Sequence, residues 1–153
     1  MSDDLMAAPR IVVGVDGSDP SKAALWWAVR EAGLIGGVVE AVAVWEYPSA
    51  WYGWTPPQAE VFDYEKITSK TLVESIDRAI GPDRPVEIRT RVVRGHPAAV
   101  LLDAAQGARL LVVGNRGHGG FTQALLGSVA QHCVQHAPCP VVVIRGPGDG
   151  KDD

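Results

Sequence analysis

The chain has 153 residues, with 14 Lys and Arg against 18 Asp and Glu, and its formal net charge at pH 7 is -4. Hydrophobic residues make up 46% of the sequence and charged residues 21%, the balance of a soluble globular domain, which argues against a disordered or membrane-embedded chain. An acidic chain offers no broad positive field to a polyanion, so nucleic-acid binding is disfavoured.

The first residues contain no basic cluster followed by an apolar stretch, and no run approaches the roughly 18 apolar residues of a membrane-spanning helix. We therefore expect a cytoplasmic protein without membrane contact. A single domain is predicted over residues 9–146, with a flexible N-terminus at residues 1–8 and a disordered tail at residues 147–153.

Apolar, β-branched segments alternate with helical segments along the chain. The first helix is predicted from a cap at Ser18 to Ala32, with Gly33 as its stop, and a second helix from about Pro56 to Ile80. Strands are predicted over residues 10–16, 38–45, 86–93, 110–114 and 141–145. This alternation is typical of an α/β fold, an open parallel sheet with helices on both faces.

The apolar patterns also predict the order of the strands. The third strand alternates apolar and charged side chains, as an edge strand does, whereas the first and fourth are continuously apolar and belong in the middle. The favoured order is 3-2-1-4-5. The connections then reverse direction between strands 1 and 4, and open parallel sheets bind ligands beyond the carboxyl ends of such strands. Asp16 and Gly114 both fall there.

Two glycine clusters, at residues 114–117 and 127–128, follow the fourth strand and indicate a phosphate site. Glycine permits positive φ and close approach to a ligand, and Ser128 at the start of a helix leaves N–H groups that point at an anion. No Lys precedes Ser128, so the segment is not a Walker loop. Residues 14–18 lack the third glycine of a dinucleotide fingerprint, so NAD binding is not expected.

The spacing Gly114-x2-Gly117-x9-Gly127-Ser128 resembles the nucleotide-binding signature of the ATP-binding branch of the universal stress protein family. The resemblance extends from residues 15–18 through Gly95-His96-Pro97-Ala98 to residues 139–144. It implies the same strand order, in a sheet like that of the adenine nucleotide alpha hydrolases. It also implies a ligand, ATP with Mg²⁺ or cyclic AMP, and a homodimer joined through the strand Val141–Ile144.

The resemblance and the strand ends together propose these nucleotide-binding residues: Gly14, Val15, Asp16, Val44, Gly114, Arg116, Gly117, His118, Gly127, Ser128 and Val129. Asp16 is predicted to accept hydrogen bonds from ribose or adenine, although Asp-Gly-Ser is also a common turn. Ser128 is predicted to cap a helix that begins near Val129. Arg116 and His118 either contact the nucleotide or are solvated surface. Many family members have a Ser where this chain has Asn115, which can still donate a hydrogen bond.

An apolar last strand at the edge of a sheet invites pairing with another chain, which independently favours a homodimer. No Ser-His-Asp spacing or metal triad is evident, so we expect a stress-response sensor or regulator and not an enzyme. Two alternatives remain open. One is a slow ATPase in which His118 or Asp16 orients water, and the other is a nucleotide-free interaction module.

The cluster of His132, Cys133, His136 and Cys139 admits a metal site, since the two histidines share a helix face. The competing interpretation, which we favour, is a packed Cys133 thiol beside a solvated helix edge. Residues 118–126 form either a lid over the ligand or a connecting helix. The aromatic segment 51–54 forms either a contact surface or a packed loop.

Overall fold

Strands and helices alternate along the chain as the apolar pattern predicts. The computed structural model describes residues 7–46, 58–115 and 127–145. The expectations for residues 1–6, for segments 51–54 and 118–126 and for the tail at 147–153 therefore lie outside the described residues. The elements are β1 Arg10–Gly14, α1 Asp19–Ile35, β2 Val38–Trp45, α2 Gln58–Ala79, β3 Ile88–Arg94, α3 Pro97–Ala104, β4 Leu110–Asn115, α4 Ser128–His136 and β5 Val141–Arg145.

The strands form one parallel sheet in the order β3-β2-β1-β4-β5, which confirms the prediction. β1 and β4 are central, and the chain moves outward from β1 to β3 before it crosses to β4. The carboxyl ends of β1 and β4 are therefore the place where the connections diverge and where a crevice is expected.

Each face of the sheet has its own apolar core. On one face, α1 and α2 pack through residues such as Leu25, Ala28 and Ile76. On the other, α3 and α4 pack through Leu101 and Cys133. Both central strands are buried on their two faces because helices cover them from each side. In the described part of the chain, no helix has the length and apolar character needed to cross a membrane.

The end of α1 differs from its prediction. The helix continues through Gly33 to Ile35 and ends at Gly36, whose backbone is left-handed with φ 70° and whose N–H donates to the Ala32 carbonyl. Gly33 as the helix stop was wrong because a glycine ends a helix only where the chain turns left-handed. Elsewhere in a helix it is tolerated at a small cost.

This boundary predicts opposite effects of alanine at the two glycines. Gly33→Ala should stabilise the protein by about 0.5–1 kcal/mol, since alanine loses less backbone entropy in a helix. Gly36→Ala should destabilise it by about 1–2 kcal/mol, since an L-residue is strained in the left-handed region. Urea denaturation of both variants checks the pair. A loss of stability in Gly33→Ala equal to that in Gly36→Ala would place the helix end at Gly33 after all.

Candidate functional site

A cavity of about 530 Å³ lies at the carboxyl ends of the central strands. It is bounded by the ends of β1, β2 and β4 and by the first turns of α3 and α4. Of the predicted site residues, the structure brings together around this cavity Gly14, Val15, Asp16, Val44, Gly114, Gly127, Ser128 and Val129. Arg116, Gly117 and His118 lie outside the described residues.

The cavity also includes residues that sequence reasoning missed. They are Ser18, Ser21, Val42, Glu46, Pro97, Leu101, Val113 and Ala130. The period of two along β2 could have found Val42 and Glu46, because they share a face with Val44. Ser18 and Ser21 were identified only as part of a helix start, since their contact with the cavity depends on how α1 meets β4.

Asp16 has a turn role that the structure makes explicit. Its Oδ1 accepts hydrogen bonds from the Ser18 backbone N–H at 2.9 Å and from Ser18 Oγ at 2.6 Å. Ser21 Oγ in turn accepts from the Asp16 N–H at 3.3 Å. Gly17, with φ 86°, supplies the left-handed residue that the turn needs. The two alternatives for Asp16 are therefore compatible, since its carboxylate orders the turn while the residue also lines the cavity.

Gly114 is a glycine for a different reason from the one predicted. Its φ is not positive, and a Cβ built at Gly114 would lie 2.5 Å from the carbonyl carbon of Pro20 and 2.8 Å from the Ser21 nitrogen. The backbone of the first turn of α1 fills the space that a side chain would need. Close approach is thus required at this position, but the partner that approaches is α1.

The start of α4 also corrects a prediction. The residue that caps the helix is Gly127, with extended φ -65° and ψ 161°, and Ser128 is already helical. Ser128 is not the cap because the chain reaches helical geometry one residue earlier than expected. The Gly127 N–H donates to Asn115 Oδ1 at 2.9 Å, and the Gly127 carbonyl accepts from the Gln131 N–H at 2.9 Å.

The first turn of α4 presents a ready anion site to the cavity. The first N–H that donates within α4 is that of Gln131, to the Gly127 carbonyl. The helix therefore gives the N–H groups of Ser128, Val129 and Ala130 no partner. All three residues line the cavity. A helix N-terminus carries about half a positive charge, which favours a phosphate or carboxylate at this end of the cavity.

The other end of the cavity presents main-chain groups of β2. The Val15 N–H donates to the Val42 carbonyl at 2.9 Å, and β1 pairs no further than Gly14 opposite Val42. Alternate residues of a strand direct their N–H and C=O groups to the same side. The main chain of Val44 therefore faces the place where β1 has ended, whereas the Trp45 carbonyl faces β3, where it accepts from the Gly95 N–H at 2.9 Å.

The His and Cys cluster around α4 packs as the favoured interpretation predicts. Cys133 is fully buried in the core, and burial raises the pKa of its thiol to about 11, so the thiol stays protonated near neutral pH. His132 and His136 are exposed. Among the described residues, no group of three or more His, Cys, Asp or Glu side chains could hold a metal ion.

Comparison with known proteins agrees with this architecture. The model of the universal stress protein family matches residues 8–145. The chain belongs to this family. Universal stress protein Rv2005c of Mycobacterium tuberculosis is 33% identical over 154 residues, which is 92% of this chain and 50% of that protein. The chain thus spans about half the length of the curated relatives it matches.

Two solved structures of universal stress proteins contain nucleotides. The protein from Archaeoglobus fulgidus in complex with dAMP is 28% identical with a TM-score of 0.63, covering 91% of this chain and 99% of its own. A universal stress protein in complex with cAMP is 25% identical with a TM-score of 0.60, covering 92% of this chain and 98% of its own.

The contact between Gly114 and α1 predicts a strong effect of a single methyl group. Gly114→Ala should destabilise the fold by about 2–3 kcal/mol, because the backbone of Pro20 cannot move without displacing α1. Chemical denaturation measures the loss. Gly33→Ala is the matched control, since the nearest atom to its added Cβ is 3.9 Å away on Val86. Equal stability of the two variants would contradict the close passage of α1.

Proposed function

We propose that this universal stress protein binds adenine nucleotides, ATP among them, in the cavity and acts in the stress response through nucleotide occupancy. The observation that carries the proposal is the presence of two complementary groups in one cavity. Main-chain donors and acceptors of Val44 lie at one end, and the first turn of α4 lies at the other.

The β2 end suits an adenine base. An exposed strand N–H and C=O form a donor beside an acceptor, and the edge of adenine offers the matching acceptor at N1 and donor at its exocyclic amine. The side chains of Val42, Val44 and Leu101 line the same part of the cavity and give the ring an apolar surface. Base recognition of this kind depends on backbone groups, so it requires no particular residue type that could be identified in the sequence.

The remaining positions follow the order of the strands. β1 lies between β2 and β4, so the ends of β2 and β4 are separated by two strand spacings, roughly 10 Å. A base at Val44 places the sugar over the end of β1, where Asp16 lines the cavity, and the phosphate beyond β4 at the first turn of α4. The nucleotides in the two related structures, dAMP and cAMP, have this succession of base, sugar and one phosphate.

ATP would place two further phosphates beyond the first turn of α4 and bring Mg²⁺ with it. Mg²⁺ in nucleotide sites is usually held by the phosphates, by water and by one or two carboxylates, so we expect the nucleotide to supply most of its ligands. We also propose binding without rapid turnover. The lining side chains in the described part of the cavity include no histidine, and Asp16 Oδ1 is engaged by Ser18.

Base selection tests this proposal. Inosine triphosphate has a donor at N1 and an acceptor at C6, the reverse of adenine, so it should oppose like groups on Val44. We expect ITP to bind about 5- to 150-fold more weakly than ATP, equivalent to about 1–3 kcal/mol for unpaired buried groups. Calorimetry with ATP, AMP, cyclic AMP and ITP gives the affinities.

Chromatography of the ATP sample after long incubation should recover ATP intact. Equal affinity for ATP and ITP would reject base recognition by β2. Accumulation of ADP would reject the part of the proposal that excludes turnover.

The edge of β5 supports a second proposal, a homodimer joined through Val141–Ile144. In the described part of the chain β5 pairs only with β4, and its four apolar residues 141–144 are each only partly buried. The Pro140 carbonyl faces β4, where it accepts from the Leu111 N–H at 3.0 Å. By alternation, the N–H groups of Val141 and Val143 face outward, where another strand could accept from them.

Proline at an outward-facing position tests the dimer. Val143→Pro removes a donor directed away from β4, so the fold should survive while the dimer dissociates to the 16.3 kDa monomer. Thr90→Pro is the matched control, because Thr90 occupies the equivalent outward position on the opposite edge strand, β3. Sedimentation should show a dimer for the wild type and for Thr90→Pro. A folded Val143→Pro variant that stays dimeric would place the interface elsewhere.

A further inference from the structure

We infer that Asn115 is a positioning residue for nucleotide phosphates, a role that rests on the proposed function. Its Oδ1 accepts the Gly127 N–H at 2.9 Å, across twelve positions of sequence. The bond joins the last residue of β4 to the cap of α4. Asn115 is not itself among the residues that line the cavity, so its effect on a ligand passes through α4.

The bond determines which N–H groups of α4 are offered to a ligand. The cap and the first three helical residues supply the four N–H groups that a helix cannot satisfy itself. Asn115 takes the first of them, at Gly127, and leaves those of Ser128, Val129 and Ala130 directed at the cavity. The proposed phosphate site therefore consists of three backbone N–H groups, and the hydrogen bond from Gly127 to Asn115 fixes the position of the helix end that carries them.

Asn115 can fix the start of α4 because Asn115 is itself held by the sheet. It is paired with Arg145 of β5 in the sheet, and the preceding Gly114 is packed against the first turn of α1. Its amide group is therefore carried by a strand end that is held by sheet pairing on one side and by close packing of the preceding residue. Gly127 has no side chain of its own to cap the helix, and no side-chain cap bond is formed there. The position of the first turn thus depends on a partner from outside α4.

The neutrality of the side chain is part of the role. A carboxylate could accept the same hydrogen bond, but it would place a negative charge next to a site for phosphate. Asparagine accepts the bond without that repulsion. The amide of Asn115 can also donate a hydrogen bond, as expected from the sequence, and the bond to Gly127 uses its Oδ1 as an acceptor.

The test compares ligands with and without phosphate on the full chain. Asn115→Ala should weaken ATP and AMP about tenfold by calorimetry, the effect of one hydrogen bond, and leave adenosine within about twofold of the wild type. Asn115→Asp keeps the acceptor, so thermal stability should stay near the wild type, while affinity should fall more for ATP than for AMP. Thr68→Ala is the control, because it also removes one hydrogen bond, to the Tyr64 carbonyl within α2. It should leave the affinities for ATP, AMP and adenosine unchanged.

The outcomes separate this inference from the proposed function. If the wild type binds ATP and Asn115→Ala weakens adenosine as much as ATP, the residue has a general structural role and the inference is overturned alone. Unchanged ATP binding by Asn115→Ala overturns it as well. Failure of the wild type to bind any adenine nucleotide overturns both the proposed function and the positioning role. Faster amide exchange at Gly127 in Asn115→Ala than in the wild type supports the bond itself.

Discussion

The close passage of the first turn of α1 beneath the end of β4 is the constraint on which the site depends. A residue with a side chain at position 114 would collide with the backbone of Pro20. Because that contact is made, the turn at residues 16–18 stands beside the end of β4 and not apart from it. The crevice between diverging connections becomes a bounded cavity with Asp16 on one side and α4 on the other.

Main-chain groups and side chains have different roles at this cavity. The main chain of Val44 and the first turn of α4 provide directional polar groups, and the valines and Leu101 provide apolar surface. The polar side chains act mostly on the protein itself. Ser18 orders Asp16, and Asn115 fixes Gly127. Preorganisation of this kind would lower the ordering cost of binding, because the groups proposed to meet the ligand are already held in place.

Much of the fold could be predicted from the sequence because it depends on local patterns. Continuous apolar runs placed β1 and β4 in the centre, and alternation placed β3 at an edge. The end of α1 could not be predicted in the same way, since both Gly33 and Gly36 are plausible stops and only the handedness of the backbone chooses between them.

The site was predictable to the extent that its residues follow strand ends. Strand order places Asp16 and Gly114 at the site independently of the resemblance to the family. The cap of α4 was not predictable in this way, because Gly127 caps the helix with the help of Asn115, a partner twelve positions away. The orientation of the Val44 main chain likewise depends on where β1 stops pairing, which is set by register and not by residue type.

Occupancy can act as a signal only if the ligand binds two states of the protein with different affinity. α4 is the element best placed to connect the cavity with the surface at β5. Its first turn lines the cavity, its body packs through Ala130 and Cys133, and four residues after His136 lead directly into β5. Under the proposed function, a nucleotide that holds the first turn would act on the helix that precedes the edge strand. By linkage, pairing of β5 with a second copy would alter nucleotide affinity by the same factor as the nucleotide alters pairing.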